Sequence, residues 1–229
     1  MREEAEAIRQ RMRTPRAAAV AGVLFSVLLM ASQALIWLSI PDNPWAPAME
    51  ELRNSRGLAI ALNLVPFAGI AFLWFIAVVR DRIGDLEDRF FATVFLGSGL
   101  LYVAMLFIAA ATAGALVGLL QNLPVSQPTS AAYFFGRAEI YRITTIYSTR
   151  MAGVFMMSSS TIFVRTQVIP RWLALTGFVL ALTLLVSIGS IKFVAALFPF
   201  WVLLISVCVL IQNRRNWREP SAKAATQAP

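Results

Sequence analysis

Six stretches of the chain stay apolar for the length a lipid bilayer demands: Ala17–Ile40, Gly57–Val79, Phe91–Leu120, Ile143–Val164, Trp172–Ser190 and Phe193–Gln212. All but the fourth lack any charge. At about 1.5 Å of rise per residue, each can cross about 30 Å of hydrocarbon as a helix. Strands are excluded on physical grounds. An open sheet in lipid leaves its edge N–H and C=O groups unpaired, and no segment shows the alternation of a membrane barrel. The pattern predicts an all-α polytopic membrane protein, a bundle of six transmembrane helices.

Charge supplies the orientation. With the N-terminus in the cytoplasm, fourteen of the 20 basic residues fall inside: Arg2 to Arg16, then Arg80, Arg82 and Arg89, then Arg165 and Arg171, then Arg214 to Lys223. Only Arg53, Arg56 and Lys192 fall in external connections. Cytoplasmic loops hold the excess of Lys and Arg, so both termini are expected in the cytoplasm. The net charge of +8 is thereby a topological signal, and nucleic acid is not expected as a partner. The first apolar run is 24 residues, too long for the core of a cleavable signal, so it reads as a retained span.

Three regions follow. Residues 1–16 read as a cytoplasmic amphipathic helix near the headgroups, ending before Pro15. Residues 17–212 form the transmembrane domain. Residues 213–229 read as a basic cytoplasmic tail, with disorder expected beyond Arg218 from its Ala-, Pro- and polar-rich composition. The connections are short. Pro41–Arg56 is external and stiffened by Pro41, Pro44 and Pro47, with Trp37 and Trp45 suited to the interface. Asp81–Arg89 is a compact cytoplasmic turn, and Gln121–Ser130 is polar and external.

The fourth run carries the chemistry. Tyr133–Val164 reads as one helix of about 32 residues, or about 48 Å, longer than the hydrocarbon requires. It contains Arg137, Glu139, Arg142 and Arg150. Measured from Arg165, Arg150 lies about 22 Å up the axis, inside the hydrocarbon, with Arg142 about 12 Å further at the external interface. A charge at that depth is costly and is expected to face the bundle interior. No other span offers a carboxylate, but Gln33 and Asn63 sit at comparable depths. The expectation is a buried polar layer of Gln33, Asn63 and Arg150 with Glu139 and Arg142 above it. Pro66 and Pro199 interrupt the second and sixth helices and free the carbonyls of Leu62 and Ala195. Such a layer either binds a small anionic or polar solute from outside, or clamps helices together. Ser158 to Thr161 add hydroxyls toward the cytoplasmic end, which ordinarily bond back to their own helix.

Ala110, Gly114 and Gly118 make a small-residue stripe at helical spacing, a packing surface for a helix of this chain or of a second copy. Composition then acts by exclusion. The chain is 59% hydrophobic and 14% charged, has no His, and has Cys208 alone. These numbers remove His-dependent triads, zinc sites, haem ligation and disulfide frameworks. No phosphate-cradling glycine motif or nucleophile elbow occurs, and no span holds an Asp. No enzyme activity, metal or cofactor is expected.

Two stretches carry a resemblance. Leu64–Gly99 runs from Pro66-Phe67-Ala68-Gly69 to Gly97-Ser98-Gly99, and Val164–Gly177 contains Ile169-Pro170-Arg171-Trp172-Leu173. Together they resemble an uncharacterised bacterial six-helix integral membrane family, a domain of unknown function. The resemblance implies a bacterial cytoplasmic membrane and six spans, and brings no activity or ligand. The reading at this point is a structural or partner-binding membrane module, its partner another membrane protein or a second copy. The alternative is a small-solute transporter or channel with an outward-facing pocket around Arg150.

Overall fold

The computed structural model describes the backbone of residues 2–39, 56–83, 89–122, 131–166, 169–187 and 194–226, and side chains within 17–39, 56–80, 90–121, 131–166, 169–187 and 194–212. The loops centred on Trp45, Glu87, Pro124 and Lys192 fall largely or wholly outside the described residues. The helices are α1 (Arg2–Ser39), α2 (Arg56–Ile83), α3 (Arg89–Asn122), α4 (Ala131–Arg142), α5 (Thr149–Thr166), α6 (Arg171–Val186) and α7 (Val194–Thr226). A π-helical turn, Ile143–Ser148, joins α4 to α5 as one rod, so the described residues form six rods. This is a multi-pass, α-helical integral membrane protein.

The expected six transmembrane helices require correction. Among the described residues, four helices are long and apolar enough to cross a bilayer: Ala17–Ser39, Arg56–Arg80, Phe90–Gln121 and Val194–Gln212. The other two rods fail for different reasons. The α6 helix has 16 residues, about 24 Å, short of about 30 Å of hydrocarbon. The α4–α5 rod is long, but Arg150, Arg165 and the hydroxyls at 144–149 and 158–161 interrupt its apolar character.

Two terminal regions also differ from expectation. The α1 helix runs through position 15 without a break. A proline removes one ladder hydrogen bond, which bends a helix more readily than it ends one when the flanking turns are intact. The α7 helix continues to Thr226, where composition suggested disorder. Ala222, Ala224 and Ala225 there are strong helix formers, so the backbone can extend the span's helix at little cost.

Packing centres on aromatic rings. Phe25 of α1, Phe72 of α2, Phe95 and Tyr102 of α3, Phe155 of α5 and Phe198 of α7 are all buried. Their centroids lie close: 4.5 Å for Phe25–Phe72, 4.6 Å for Phe95–Phe155 and 4.6 Å for Tyr102–Phe198. Five helices thus meet in one apolar centre. Around it α1 packs most heavily on α2 and α7, α3 bridges α2 and α5, and α6 leans on α5. The buried polar side chains among the described residues are all hydroxyls, for example Ser26, Ser32, Ser98 and Ser158 to Ser160. Most donate to a carbonyl of their own helix, as Ser98 does to Val94 at 2.7 Å. Ser32 instead reaches across to Ala61 of α2 at 2.9 Å and ties two helices.

Between helices, association in lipid depends on close packing and not on hydrophobic expulsion, so small residues mark the tightest contacts. Gly153 on α5 is one. A β-carbon there would stand 2.9 Å from Leu185 Cγ and 3.1 Å from the Ala181 carbonyl oxygen of α6.

Candidate functional site

The π turn exists because its threonines can service the carbonyls it leaves. Widening one turn breaks the regular i to i−4 ladder, and hydroxyls nearby can bond the stranded oxygens. Thr144 donates to Ile140 at 2.7 Å and Thr145 to Tyr141 at 2.5 Å. Thr149 donates to Thr144, five residues back, at 3.0 Å. The guanidinium of Arg150 adds a donor to the same turn, its Nη1 reaching the Ile146 carbonyl at 3.4 Å.

Arg150 is exposed on the outside of the bundle, where the sequence placed it inward. The cause is the buried face of α5, where Ala152, Phe155, Met156, Ser159, Ile162 and Phe163 pack against α3, α6 and the aromatic centre. Arg150 and Met157 stand on the opposite side and are exposed. Asn63 is also exposed and donates to Ala59 of its own helix at 2.8 Å. Gln33 is half-buried and bonds a third group. The three residues expected to form one layer therefore make separate hydrogen bonds to three different carbonyls. Above Arg150, Arg142 and Arg137 are exposed and Glu139 is half-buried. The aromatic side chains flanking the arginines on this face are Tyr141, 53% exposed, and Tyr147, 57% exposed.

Gln33 found a partner that proline chemistry made available. Pro199 has no N–H for the Ala195 carbonyl, and Gln33 Nε2 donates to that oxygen at 3.4 Å, linking α1 to α7. The α2 helix continues unbroken past Pro66, which is itself exposed. The Gln33 bond makes a specific prediction. Gln33→Leu should lower stability by about 1 kcal/mol, because the Ala195 oxygen then loses the donor that Gln33 supplies. In a Pro199→Ala background the restored backbone N–H takes that role, and the same substitution should cost little. A double-mutant cycle of thermal midpoints in detergent measures the coupling; simple additivity would reject the link.

Two features escaped the sequence reading. Ser160 and Trp201 are buried with polar atoms that have no hydrogen-bond partner among the described residues, and both border Gly177 of α6. The second is the outward direction of the small-residue stripe. A β-carbon at Gly114 or Gly118 would meet nothing within 4 Å, and Gly114 is exposed, so the glycine face of this part of α3 meets no other described helix, while Leu116 between them packs against Gly136 of α4. The inner-facing glycines, Gly69 and Gly99, make that contact instead. A heptad-like reading of α3 around Phe95, Tyr102 and Ala109 would have separated the two faces.

Comparison with protein-family models, with curated proteins and with solved structures yields no match, so the six-helix bacterial resemblance gains no support and the chain stands as a multi-pass α-helical membrane protein of undetermined biochemical role.

Proposed function

We propose that this protein is a non-enzymatic structural or partner-binding module of a bacterial cytoplasmic membrane, with both termini on the cytoplasmic side. The single observation that carries the reading is the filled centre: aromatic rings from five helices in mutual contact, with no charged side chain buried among the described residues. A carrier needs a polar path through its bundle, and charged or amide groups would line it. Here the amide and guanidinium candidates turn to the exterior or to a helix junction. The small-residue stripe at Ala110, Gly114 and Gly118, with Gly114 exposed and the other two half-buried, supports a partner, because small residues let a further helix approach closely. The arginines clustered at the N-terminus, around positions 80–89 and beyond position 213 support the orientation.

Reconstitution tests the reading. Proteoliposomes of the purified chain should show no uptake of small anions or polar solutes above protein-free vesicles, and Arg150→Ala should change nothing. Saturable flux that Arg150→Ala abolishes would overturn the proposal in favour of a carrier. Bulky substitutions on the stripe, Gly114→Leu with Gly118→Leu, should leave the thermal midpoint unchanged. They should also remove a photo-crosslink from a probe introduced on α3 to its partner. Crosslinking that survives the bulky pair places the partner elsewhere.

A further inference from the structure

We infer that the exposed face of the α4–α5 rod at Arg142, Tyr147 and Arg150 is a binding site for the headgroup of an anionic phospholipid. The argument begins with depth. Arg165 lies 4.8 Å from the Phe91 ring centroid at the start of α3, and Phe155 stacks on Phe95 at 4.6 Å. The α5 helix therefore runs antiparallel to α3 and shares the depth of that spanning helix, although its own sequence is not apolar enough to count as a span, with Arg165 beside the Phe91 end. Arg150 is about 22 Å from Arg165 along the axis, and its guanidinium reaches back toward the Ile146 carbonyl oxygen, about 3 Å further. That brings the charge about 25 Å across a slab of about 30 Å, within snorkelling reach of the far headgroup layer.

The side chain is thus oriented as a long cation is when it snorkels toward phosphate. Among the described residues its hydrogen bond is the 3.4 Å one to Ile146, which uses one of the five guanidinium N–H donors. Arg142, about 12 Å further toward the same surface, is exposed as well. Tyr147, on the same side of the rod, sets an exposed ring and hydroxyl at the depth where tyrosines favour the interface. Two cations with an interfacial aromatic between them complement a negatively charged headgroup. A phosphate on Arg150 can be held by two parallel N–H···O bonds, a geometry lysine cannot supply. A second copy is a poorer occupant, since a twofold axis along the membrane normal sets Arg150 opposite Arg150 at equal depth.

The experiment uses the full chain in nanodiscs of phosphatidylcholine with graded phosphatidylglycerol, and native mass spectrometry to count retained lipids. Wild type should retain phosphatidylglycerol over phosphatidylcholine. Each of Arg142→Ala and Arg150→Ala should weaken that preference about fivefold, the factor for one basic residue worth about 1 kcal/mol at an anionic surface. Arg150→Lys should fall between wild type and Arg150→Ala. Arg165→Ala removes equal charge at the other end of α5 and should leave the strongest-held lipid in place. The inference is overturned by equal retention of both lipids, or by Arg150→Ala retaining as much as wild type. It is also overturned if Arg165→Ala loses as much as Arg150→Ala, which indicates attraction by net charge alone. Thermal midpoints in pure phosphatidylcholine, expected unchanged, separate lost binding from lost folding. A lowered midpoint for Arg150→Ala without altered lipid preference also counts against the site.

Discussion

Phe72→Ala is expected to destabilise the folded bundle by about 3–5 kcal/mol, the range for truncating a fully buried aromatic. The ring is 0% exposed and sits against five others, at 4.5 Å from Phe25, 5.1 Å from Phe155, 5.5 Å from Phe198, 5.7 Å from Tyr102 and 6.0 Å from Phe75. Lipid tails solvate an exposed ring about as well as the protein interior does, so the loss is mainly of dispersion and edge-to-face contacts across a new cavity. Trp74 is the control. It lies two residues away on the same helix, is 69% exposed, and Trp74→Ala should shift the midpoint little. Size-exclusion thermal melts in detergent would compare the pair. Equal effects at Phe72 and Trp74 would show that the aromatic centre does not hold the helices together.

Gly153→Val is expected to cost about 3 kcal/mol, the upper end of the usual overpacking range. The obstacle at 3.1 Å is a backbone oxygen, Ala181, and the one at 2.9 Å is a branch carbon, Leu185 Cγ. Neither can swing aside as the end of a long side chain can, so α5 and α6 must separate. Separation drags Phe155, two residues on, out of its stack with Phe95. Gly114→Val should change stability by no more than about 0.5 kcal/mol, as for most exposed substitutions, since a β-carbon there meets nothing within 4 Å. A Gly153→Val protein that melts with wild type would mean that the α5–α6 contact is looser than this geometry.

These contrasts show where sequence pattern was a sufficient guide. The apolar runs ending near Ile40, Val79, Leu120 and Gln212 match four spanning helices within a residue or two, because hydrocarbon thickness fixes how many apolar residues a crossing needs. The Ile143–Val164 and Trp172–Ser190 runs were misjudged as equals of those four. Length was overestimated for one, and for the other the hydroxyls that support a π turn were counted as ordinary helix. Nothing in a hydropathy pattern reveals that Thr144, Thr145 and Thr149 will bond stranded carbonyls.

Arg150 failed for a more general reason. The rule that a charge in a spanning segment turns inward weighs desolvation alone. It omits the competing demand of Phe155, Met156, Ile162 and Phe163 for the same inward face, and the length of an arginine that lets its head leave the hydrocarbon while its stem stays. Gln33 shows the opposite outcome. Pro199 marked the Ala195 carbonyl as an unpaired acceptor in the sequence, and the amide took it.

Composition and hydrophobic run length alone determined that this chain is helical, embedded in a membrane and without histidine chemistry, because those properties depend on local transfer energies summed along the chain. Which face of each helix turns inward was decided by tertiary structure. So was the fate of the glycines, with Gly153 pressed against α6 and Gly114 left open. Facing depends on which neighbour fills which gap, and close packing is a property of pairs of helices that no single segment encodes.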